Sequence, residues 1–408
     1  MTPAGHRIAA VSLFAGLSGL AIWLRLLYQQ LSVAQQATAN LVPLVIGAIG
    51  MALALWFHRS RVVLALLVLL GAYGLPLVFL PDNGVSAAVL FSGVALLVPL
   101  NLAVLAFLPE RGLWTGSGIA RAAFLLVQAG FLAWATVHPQ GRLGELLQSP
   151  WLFSGSSQAG GLAPVVLGIY ALAAVALLAV WVLRNSPLDG GFLGALVATA
   201  PPLAWGGEAG MTVAFWGLAV LVLSTALVQE SYRLAFMDEL TGLPGRRALE
   251  EQLQRMGAGF VIAMVDVDHF KNFNDTFGHD IGDHVLRMVA GKLRSVGGGG
   301  RAYRYGGEEF TVLFPNRTLE EAAETMDRVR EEIAGSGFRL RGVDRPESPK
   351  KGAKKRGKGQ GQGGRVQVTV SAGLAERTGD RMRPQEVIKA ADELLYRAKK
   401  KGRNRVCR

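Results

Sequence analysis

Arg-Tyr-Gly-Gly-Glu-Glu-Phe, at residues 304–310, is the stretch from which the fold of the second half of this chain follows. The flanking segments 303–305 and 310–314 are rich in aromatic and β-branched residues, which is typical of two strands joined by a tight turn. The two glycines lack Cβ and tolerate positive φ, so the turn can approach a ligand closely. Its carboxylates, Glu308 and Glu309, predict a site for a hard cation. A solvated hairpin without a ligand is the alternative.

A second acidic group follows an apolar run at residues 260–265. The run, Phe-Val-Ile-Ala-Met-Val, predicts a strand buried on both faces. It leads into Asp266, and a carboxylate at the end of a buried strand is costly unless it is paired or bound to a metal. We therefore expect Asp266 and Glu308 to lie on neighbouring strands, where their carboxylates share a cation. The alternative is a satisfied pair of surface acids.

Five motifs, in this order, carry a resemblance to a known family. They are Asp238-Glu239-Leu240-Thr241-Gly242-Leu243-Pro244, Asp266-Val267-Asp268-His269-Phe270-Lys271, Gly306-Gly307-Glu308-Glu309-Phe310, Ser371-Ala372-Gly373, and Ala398-Lys399 through Gly402-Arg403-Asn404. With these motifs, residues 235–408 resemble the GGDEF family of diguanylate cyclases in its Gly-Gly-Glu-Glu-Phe variant.

The patterns after residue 235 predict an α+β GGDEF domain with a central antiparallel sheet, similar to the ferredoxin-like palm of nucleotide cyclases. The predicted helices are 246–256, 280–295, 318–334 and 384–400, and the predicted strands are 259–266, 301–306, 309–314, 337–342, 365–372 and 403–407.

The resemblance implies a metal and catalytic set. The implied metal ligands are Asp266, Glu308 and the carbonyl of Val267, with two Mg²⁺ in each active site and Mn²⁺ as a substitute. Glu308 matches the general base for the ribose 3′-hydroxyl, and Glu309 is expected to support it or to bind the second metal. Lys271 matches a lysine that balances charge in the transition state.

The resemblance also implies a binding set for GTP. Asn274 and Asp283 match the residues that read the guanine edge, although an aspartate near a helix start also suits capping. Lys399 and Arg403 match residues that hold the triphosphate, although the basic segment 397–408 would by itself be interpreted as a solvated tail. The remaining expected substrate contacts are Phe270, Gly306 and Gly307.

Two positions depart from the family pattern. Gly245 stands where the family usually has asparagine, and glycine is tolerated at a helix N-cap. Residues 297–300 are four glycines where many members carry Arg-x-x-Asp as an inhibitory product site. We therefore expect no product inhibition through this loop.

Residues 1–228 have the composition of a membrane domain. They contain eight arginines, no lysine and five acids, a net charge of +3, whereas the rest of the chain carries +9. At about 20 apolar residues for each span, we predict an all-α polytopic bundle. The eight predicted spans are 8–24, 39–57, 62–80, 85–108, 116–137, 162–183, 191–206 and 210–228. The alternative for the first is a cleaved signal peptide.

The arginines predict the orientation of the spans. With the N-terminus inside, five arginines outside the spans face the cytoplasm and two face out. We therefore expect a multi-pass protein of the bacterial inner membrane with a cytoplasmic catalytic domain. The weakest span is 191–206, which is short and contains Pro201-Pro202. Arg121 inside the fifth span is interpreted either as a ligand site or as a side chain that snorkels to the membrane surface.

Two further segments complete the predicted organisation. Residues 229–238 form a short helical connector to the catalytic domain, 239–408, with no room for a heptad repeat. The insertion at 343–364 is basic and nearly free of apolar residues, so it is expected to be disordered. It is interpreted as a solvated loop or as a contact for anionic lipid, and no specific nucleic acid is expected. Cys407 is the only cysteine.

These features lead to one main hypothesis for the function. It is a membrane-bound diguanylate cyclase that condenses two GTP molecules as a homodimer under the control of an unidentified stimulus. The first alternative is a non-catalytic membrane receptor for GTP or cyclic di-GMP. The second is a transporter with a regulatory domain, which the scarcity of charges in the spans disfavours.

Overall fold

The structure, a computed structural model, consists of two compact units, Met1–Ser231 and Tyr232–Arg408. Each unit has its own apolar core. The residues described are 3–79, 85–149, 152–154, 161–204, 208–257, 259–339, 365–377 and 383–408.

The first unit is helical. In the described residues its helices are α1 (Pro3–Tyr28), α2 (Val33–Ala39), α3 (Val42–Trp56), α4 (Ser60–Phe79), α5 (Val85–Phe107), α6 (Gly116–Val137), α7 (Arg142–Leu147), α8 (Pro164–Arg184), α9 (Pro187–Ala204) and α10 (Ala209–Phe236). Two short strands, β1 (Phe153–Ser154) and β2 (Gly161–Leu162), pair antiparallel.

Seven of the predicted spans correspond to helical stretches that are long and apolar enough to cross a membrane, among the residues described. They are Val11–Tyr28, Val33–Trp56, Ser60–Leu77, Val85–Phe107, Gly116–Val137, Pro164–Arg184 and Ala209–Phe236. The eighth, 191–206, falls on α9 as far as Ala204, and its last two residues lie outside the described residues. However, α9 has only 18 residues, includes Pro201 and Pro202, and does not reach the same hydropathy. The count of eight spans stays a prediction that depends on α9.

Charged side chains of the first unit find partners near helix ends. Arg25 makes a two-point ion pair with Glu208, and Arg61 contacts Glu110 at 3.2 Å. Arg121 donates from Nη1 to the carbonyl of Pro109 at 3.0 Å, just before the start of α6. This contact favours the interpretation of Arg121 as a snorkelling side chain.

The second unit is an α+β domain. After α10, its elements are α11 (Arg246–Gln254), β3 (Phe260–Val267), α12 (Phe270–Phe277), α13 (His279–Arg294), β4 (Arg301–Arg304), β5 (Glu309–Pro315), α14 (Leu319–Gly335), β6 (Phe338–Arg339), β7 (Arg365–Val366), β8 (Val370–Glu376), α15 (Pro384–Lys400) and β9 (Val406–Cys407). Within the described residues, five strands form one sheet in the order β4-β5-β3-β8-β9.

The predicted central sheet is confirmed, but it is mixed and not purely antiparallel. β3 pairs antiparallel with β5 and β8, and β4 with β5, whereas β8 and β9 are parallel. The parallel pair arises because α15 carries the chain from β8 back to the same end of the sheet, as a crossover helix must.

β3 lies at the centre of the sheet, and all eight of its residues are buried. On one face, Val261 and Val265 belong to the core that β3 shares with α13 and α14. On the other face, Ile262 and Met264 belong to the core that it shares with α11 and α15. The close approach of α15 requires Gly373 on β8, because a Cβ there would overlap the main chain of α15. This explains the glycine of the Ser-Ala-Gly motif.

Several boundaries differ from the predictions. The short helix α12 was not predicted, and the predicted strand 365–372 is divided into β7 and β8. β6 and β7 pair antiparallel, Phe338 with Val366. The insertion at 343–364 lies outside the described residues.

Candidate active site

The carboxylates predicted to share a cation lie side by side in the sheet. Asp266, at the end of β3, is paired in register with Glu309 at the start of β5. The main-chain N–H of Val267 donates to the carbonyl of Glu308 at 3.3 Å. Asp266 is only 4 % exposed. Two neighbouring antiparallel strands therefore bring three acidic residues to one edge of the sheet.

All three acids of this cluster have raised pKa values. Burial raises the pKa of Asp266, although Lys399 opposes the shift with an ion pair of 2.9 Å between Nζ and Oδ2. The pKa values of Glu308 and Glu309 are raised as well, first by burial and then by repulsion from Asp266. Such repulsion is relieved by a cation.

The donor set fits a hard divalent cation. Two carboxylates, Asp266 and Glu308, lie next to the main chain of Val267, and oxygen ligands are those that Mg²⁺ and Mn²⁺ prefer. Within the described residues, no group of three or more His, Cys, Asp or Glu side chains is arranged to hold a metal. A metal here would therefore depend on a main-chain oxygen and on the substrate's phosphates.

The glycine turn between β4 and β5 is held by one arginine. Arg304 donates from Nε to the carbonyl of Gly306 at 3.2 Å and from Nη2 to that of Gly307 at 2.7 Å. The main-chain N–H groups of Tyr305 and Gly306 both donate to the carbonyl of Glu309. The predicted hairpin is confirmed.

Neither turn glycine uses the positive φ that we expected of it. A Cβ on Gly306 would lie 2.8 Å from Oε2 of Glu309, so the flexible carboxylate of Glu309 would have to move aside. A Cβ on Gly307 would meet no atom within 4 Å. The surface of the turn at Gly307 is therefore open to a ligand.

Arg304 also ties this turn to the Asp-Glu-Leu-Thr motif. Its Nη1 donates to both carboxylate oxygens of Asp238, at 2.8 and 2.9 Å. Asp238 further accepts from the N–H and the hydroxyl of Thr241, and Gly242 closes this second turn with φ of +64°. Burial acts to raise the pKa of Asp238, but the hydrogen bonds from Thr241 and Arg304 outweigh it and the pKa is lowered.

The predicted guanine-reading residues lie on α12 and α13. Oδ1 of Asn274 is buried and has no hydrogen-bond partner among the described residues. It lies against Gly282, where a Cβ would overlap it, and Gly282 directly precedes Asp283. The ring of Phe270 packs on the same glycine. Lys271 is exposed at the start of α12.

The two C-terminal cations, Lys399 and Arg403, come from different pieces of backbone. Lys399 lies in the last turn of α15 and reaches Asp266, but Arg403 lies beyond the helix in a left-handed conformation, with φ of +62°. Arg403 is still close enough to Asp266 to act against the rise in its pKa. The two cations thus approach the acidic cluster from a helix end and from the turn that follows it.

Sequence reasoning missed Asp268. It is 8 % exposed and accepts hydrogen bonds from Thr369, Ser371 and Asn404. The signal was present, since Asp268 comes directly after a strand that is buried on both faces. A buried carboxylate there had to be paired or bound.

A scan of protein-family models matches residues 235–348 and 350–405 to the family described as diguanylate cyclase, GGDEF domain. Among curated proteins, the chain is 35 % identical over 187 residues to diguanylate cyclase DgcP of Pseudomonas aeruginosa, covering 44 % of this chain and 25 % of that protein. It is 37 % identical over 177 residues to diguanylate cyclase VdcA of Vibrio cholerae, covering 42 % and 46 %. The chain thus spans less than half the length of these relatives.

Among solved structures, the chain is similar to the coiled coil and GGDEF domain of DgcB from Caulobacter crescentus in complex with c-di-GMP. The identity is 32 %, the match covers 44 % of this chain and 88 % of that one, and the TM-score is 0.38. A second match is the active GGEEF domain of a diguanylate cyclase from Vibrio cholerae, with 27 % identity, coverage of 40 % and 88 %, and a TM-score of 0.30.

Proposed function

We propose that the chain, whose residues 235–348 and 350–405 match the family described as diguanylate cyclase, GGDEF domain, condenses two GTP molecules into cyclic di-GMP and two pyrophosphates. The observation that carries the proposal is the cluster of Asp266, Glu308 and Glu309 beside the open turn at Gly307. It supplies acids for cation binding and proton transfer next to space for a phosphate chain.

The proposed reaction is an in-line displacement at phosphorus, performed twice. The ribose 3′-oxygen of one GTP bonds to the α-phosphorus of the other, and the bond from that phosphorus to the pyrophosphate breaks. Glu308 accepts the proton of the hydroxyl. Mg²⁺ or Mn²⁺, held by Asp266, Glu308 and the carbonyl of Val267, would neutralise charge on the reacting oxygens.

The remaining residues divide between the two ends of GTP. Asn274 and Asp283 are proposed to read the guanine edge by hydrogen bonds, with Phe270 supporting Asn274. Lys399, Arg403 and the Gly306–Gly307 turn are proposed to bind the triphosphate. Glu309 supports Glu308, and the exposed Lys271 is available to a phosphate in the transition state.

The whole protein is proposed to act as a homodimer in the bacterial inner membrane. Each active site holds one GTP, and the product needs two, so two copies must face each other. The helical unit is proposed to control this encounter in response to a stimulus, with the catalytic unit in the cytoplasm. The apolar helices support a bilayer as the partner of the first unit.

The test is a turnover assay on the full chain in detergent, with GTP and Mg²⁺ and with chromatographic detection of cyclic di-GMP. Asp266→Asn and Glu308→Gln should each lower the rate by at least about 100-fold, as expected when a group that acts on the reacting atoms is lost. Glu331→Gln, an exposed acid on α14, is the matched control and should retain full activity.

Two outcomes would contradict the proposal. Full activity in either site variant would refute the assigned roles. Binding of GTP or cyclic di-GMP without turnover under any metal condition would favour the alternative, a non-catalytic receptor. The acids retained at positions 266, 308 and 309 support catalysis over that alternative.

A further inference from the structure

Asp268 is a buried carboxylate that the proposed chemistry does not use. It lies just after β3, two residues beyond Asp266, and its oxygens accept three hydrogen bonds. Oδ1 accepts from the Ser371 hydroxyl at 2.7 Å, and Oδ2 accepts from the Thr369 hydroxyl at 2.7 Å and from the main-chain N–H of Asn404 at 3.0 Å. The first two partners belong to the adjoining strand region, but the third lies far along the chain.

The contact with Asn404 fixes an unusual piece of backbone. Arg403 and Asn404 have φ of +62° and +44°, which is costly for residues other than glycine. The N–H of Arg403 caps α15 by donating to the carbonyl of Ala398 at 3.1 Å. Asp268 therefore holds the turn that presents Arg403, immediately after the helix that presents Lys399.

We propose that Asp268 is a positioning residue for the triphosphate end of GTP. It fixes the C-terminal turn, and through it Arg403, at the distance from the metal-side carboxylate Asp266 that a bound triphosphate requires. This inference rests on the proposed function, since it assigns the phosphate-binding side of the same site. It adds a residue that binds no substrate atom itself.

The guanine end of the site is built independently. Asn274 and Asp283 lie on α12 and α13, and no hydrogen bond described for Asp268 reaches those helices. Loss of Asp268 should therefore weaken binding of a ligand with a triphosphate more than binding of one with a single phosphate. A residue that only stabilises the sheet would affect both ligands equally.

The experiment compares GTP with GMP on the full chain in detergent, each displacing a fluorescent GTP analogue in the presence of Mg²⁺. Asp268→Ala should weaken GTP about tenfold, the equivalent of one charged hydrogen bond, and GMP less than about twofold. Asp268→Asn, which keeps the shape but loses the charge, should weaken GTP about threefold in the same selective way.

Two control variants separate a selective loss of triphosphate binding from a loss of stability and from a loss of guanine binding. Ser371→Ala removes a buried hydrogen bond to the same carboxylate without touching the turn, so it should lower Tm and leave the ratio of GTP to GMP affinity unchanged. Asn274→Ala should weaken both ligands by the same factor.

Equal loss for GTP and GMP, or no loss for either, in whichever Asp268 variant folds would overturn the inference. In that case GTP binding by the unaltered protein would leave the proposed function standing. If the unaltered protein bound no GTP, both proposals would fail.

Discussion

At the scale of single residues, Gly282 makes room for the amide of Asn274. A methyl group at position 282 would overlap Oδ1 of Asn274 and lie 3.2 Å from the ring of Phe270. Gly282→Ala should therefore displace Asn274 and weaken GTP binding about tenfold, which is the value of roughly one hydrogen bond to the base. Binding of a fluorescent GTP analogue measures it.

Gly291→Ala is the matched control, because it lies on the same helix with no atom within 4 Å of an added Cβ. Alanine in an exposed helix position stabilises by roughly 0.5–1 kcal/mol relative to glycine. We expect a slightly higher Tm and unchanged affinity. Unchanged GTP binding by Gly282→Ala would refute the role given to Asn274.

Asp238 should make a pH-dependent contribution to stability. Its pKa is lowered in the folded state, so its ionised form stabilises the domain at all pH values above the unfolded pKa of about 3.9. This contribution is lost as the pH falls through the folded pKa. In urea unfolding at pH 7, Asp238→Asn should thus have a lower free energy of unfolding than the unaltered protein. This difference in free energy should disappear as the pH falls below about 4.

Glu239→Gln, at the exposed neighbouring acid, serves as the control for Asp238 and should show no such pH-dependent difference. If the difference in the free energy of unfolding between Asp238→Asn and the unaltered protein stayed constant down to about pH 3, below the unfolded pKa, the hydrogen-bond geometry of Asp238 and not its charge would matter to the fold.

The four glycines at 297–300 should leave the enzyme free of product inhibition through this loop. Arginine and aspartate side chains would be needed there to grip phosphate and guanine, and glycine supplies neither. Initial rates with added cyclic di-GMP measure the effect, and strong non-competitive inhibition would contradict the expectation.

The structure also shows why bulky substitutions in this loop cannot be used to test for product inhibition. Gly298 and Gly299 have φ of +66° and +76°, and a Cβ on Gly300 would lie 2.7 Å from the ring of Phe314. Substitution at these three positions would strain the hairpin itself. Gly297, which has open space around it, is the position to alter.

Some site residues could be predicted from the sequence, and others could not. Asp266, Glu308 and Glu309 were placed together because the family resemblance implies that they share one metal site. The ion pair of Lys399 with Asp266 could not be derived, since it depends on how α15 crosses the sheet. The positive φ expected at Gly306 and Gly307 was wrong, since neither glycine has it.

At the scale of elements, long periodic segments were predicted well and short ones poorly. α13, α14, α15 and β3 lie within a few residues of their predicted bounds. α12 was missed because its eight residues offer too few turns to show an apolar period. The parallel pairing of β9 was missed because two residues carry no signal of direction.

The basic insertion should be dispensable for catalysis. β6 and β7 pair directly, Phe338 with Val366 and Arg339 with Arg365, so the two ends of the insertion are joined by a two-stranded ladder. Replacing residues 344–363 with a short Gly-Ser linker should change the rate of cyclic di-GMP formation in detergent by less than about twofold, since closing a shorter loop costs little. A collapse of activity would show that the insertion is structural.

At the scale of the whole molecule, the parity of the predicted spans decides on which side of a membrane the second unit would lie. The arginine distribution predicts an even number with both ends in the cytoplasm. A reporter fused after Arg408 and a tag at residue 2 should both report the cytoplasm. Opposite sides would mean an odd number, with α9 as the helix that does not cross.

The same helix explains why this count was hard to predict. α9 is covered by α5 and α8 along much of its length, and eleven of its residues are buried. A helix shielded by its neighbours needs less apolar surface than one that faces lipid, so hydropathy alone does not decide its path.

The Asp238–Arg304 pair has a consequence for protein engineering. Because Asp238 lies 66 residues before Arg304 and still anchors the glycine turn, the catalytic module has to be cut upstream of it. A chimera that grafts a foreign input domain at Tyr232 keeps the pair, whereas one spliced at Leu240 discards the aspartate and leaves Arg304 holding only the turn. The usable junction for modular sensors is therefore the last two turns of α10.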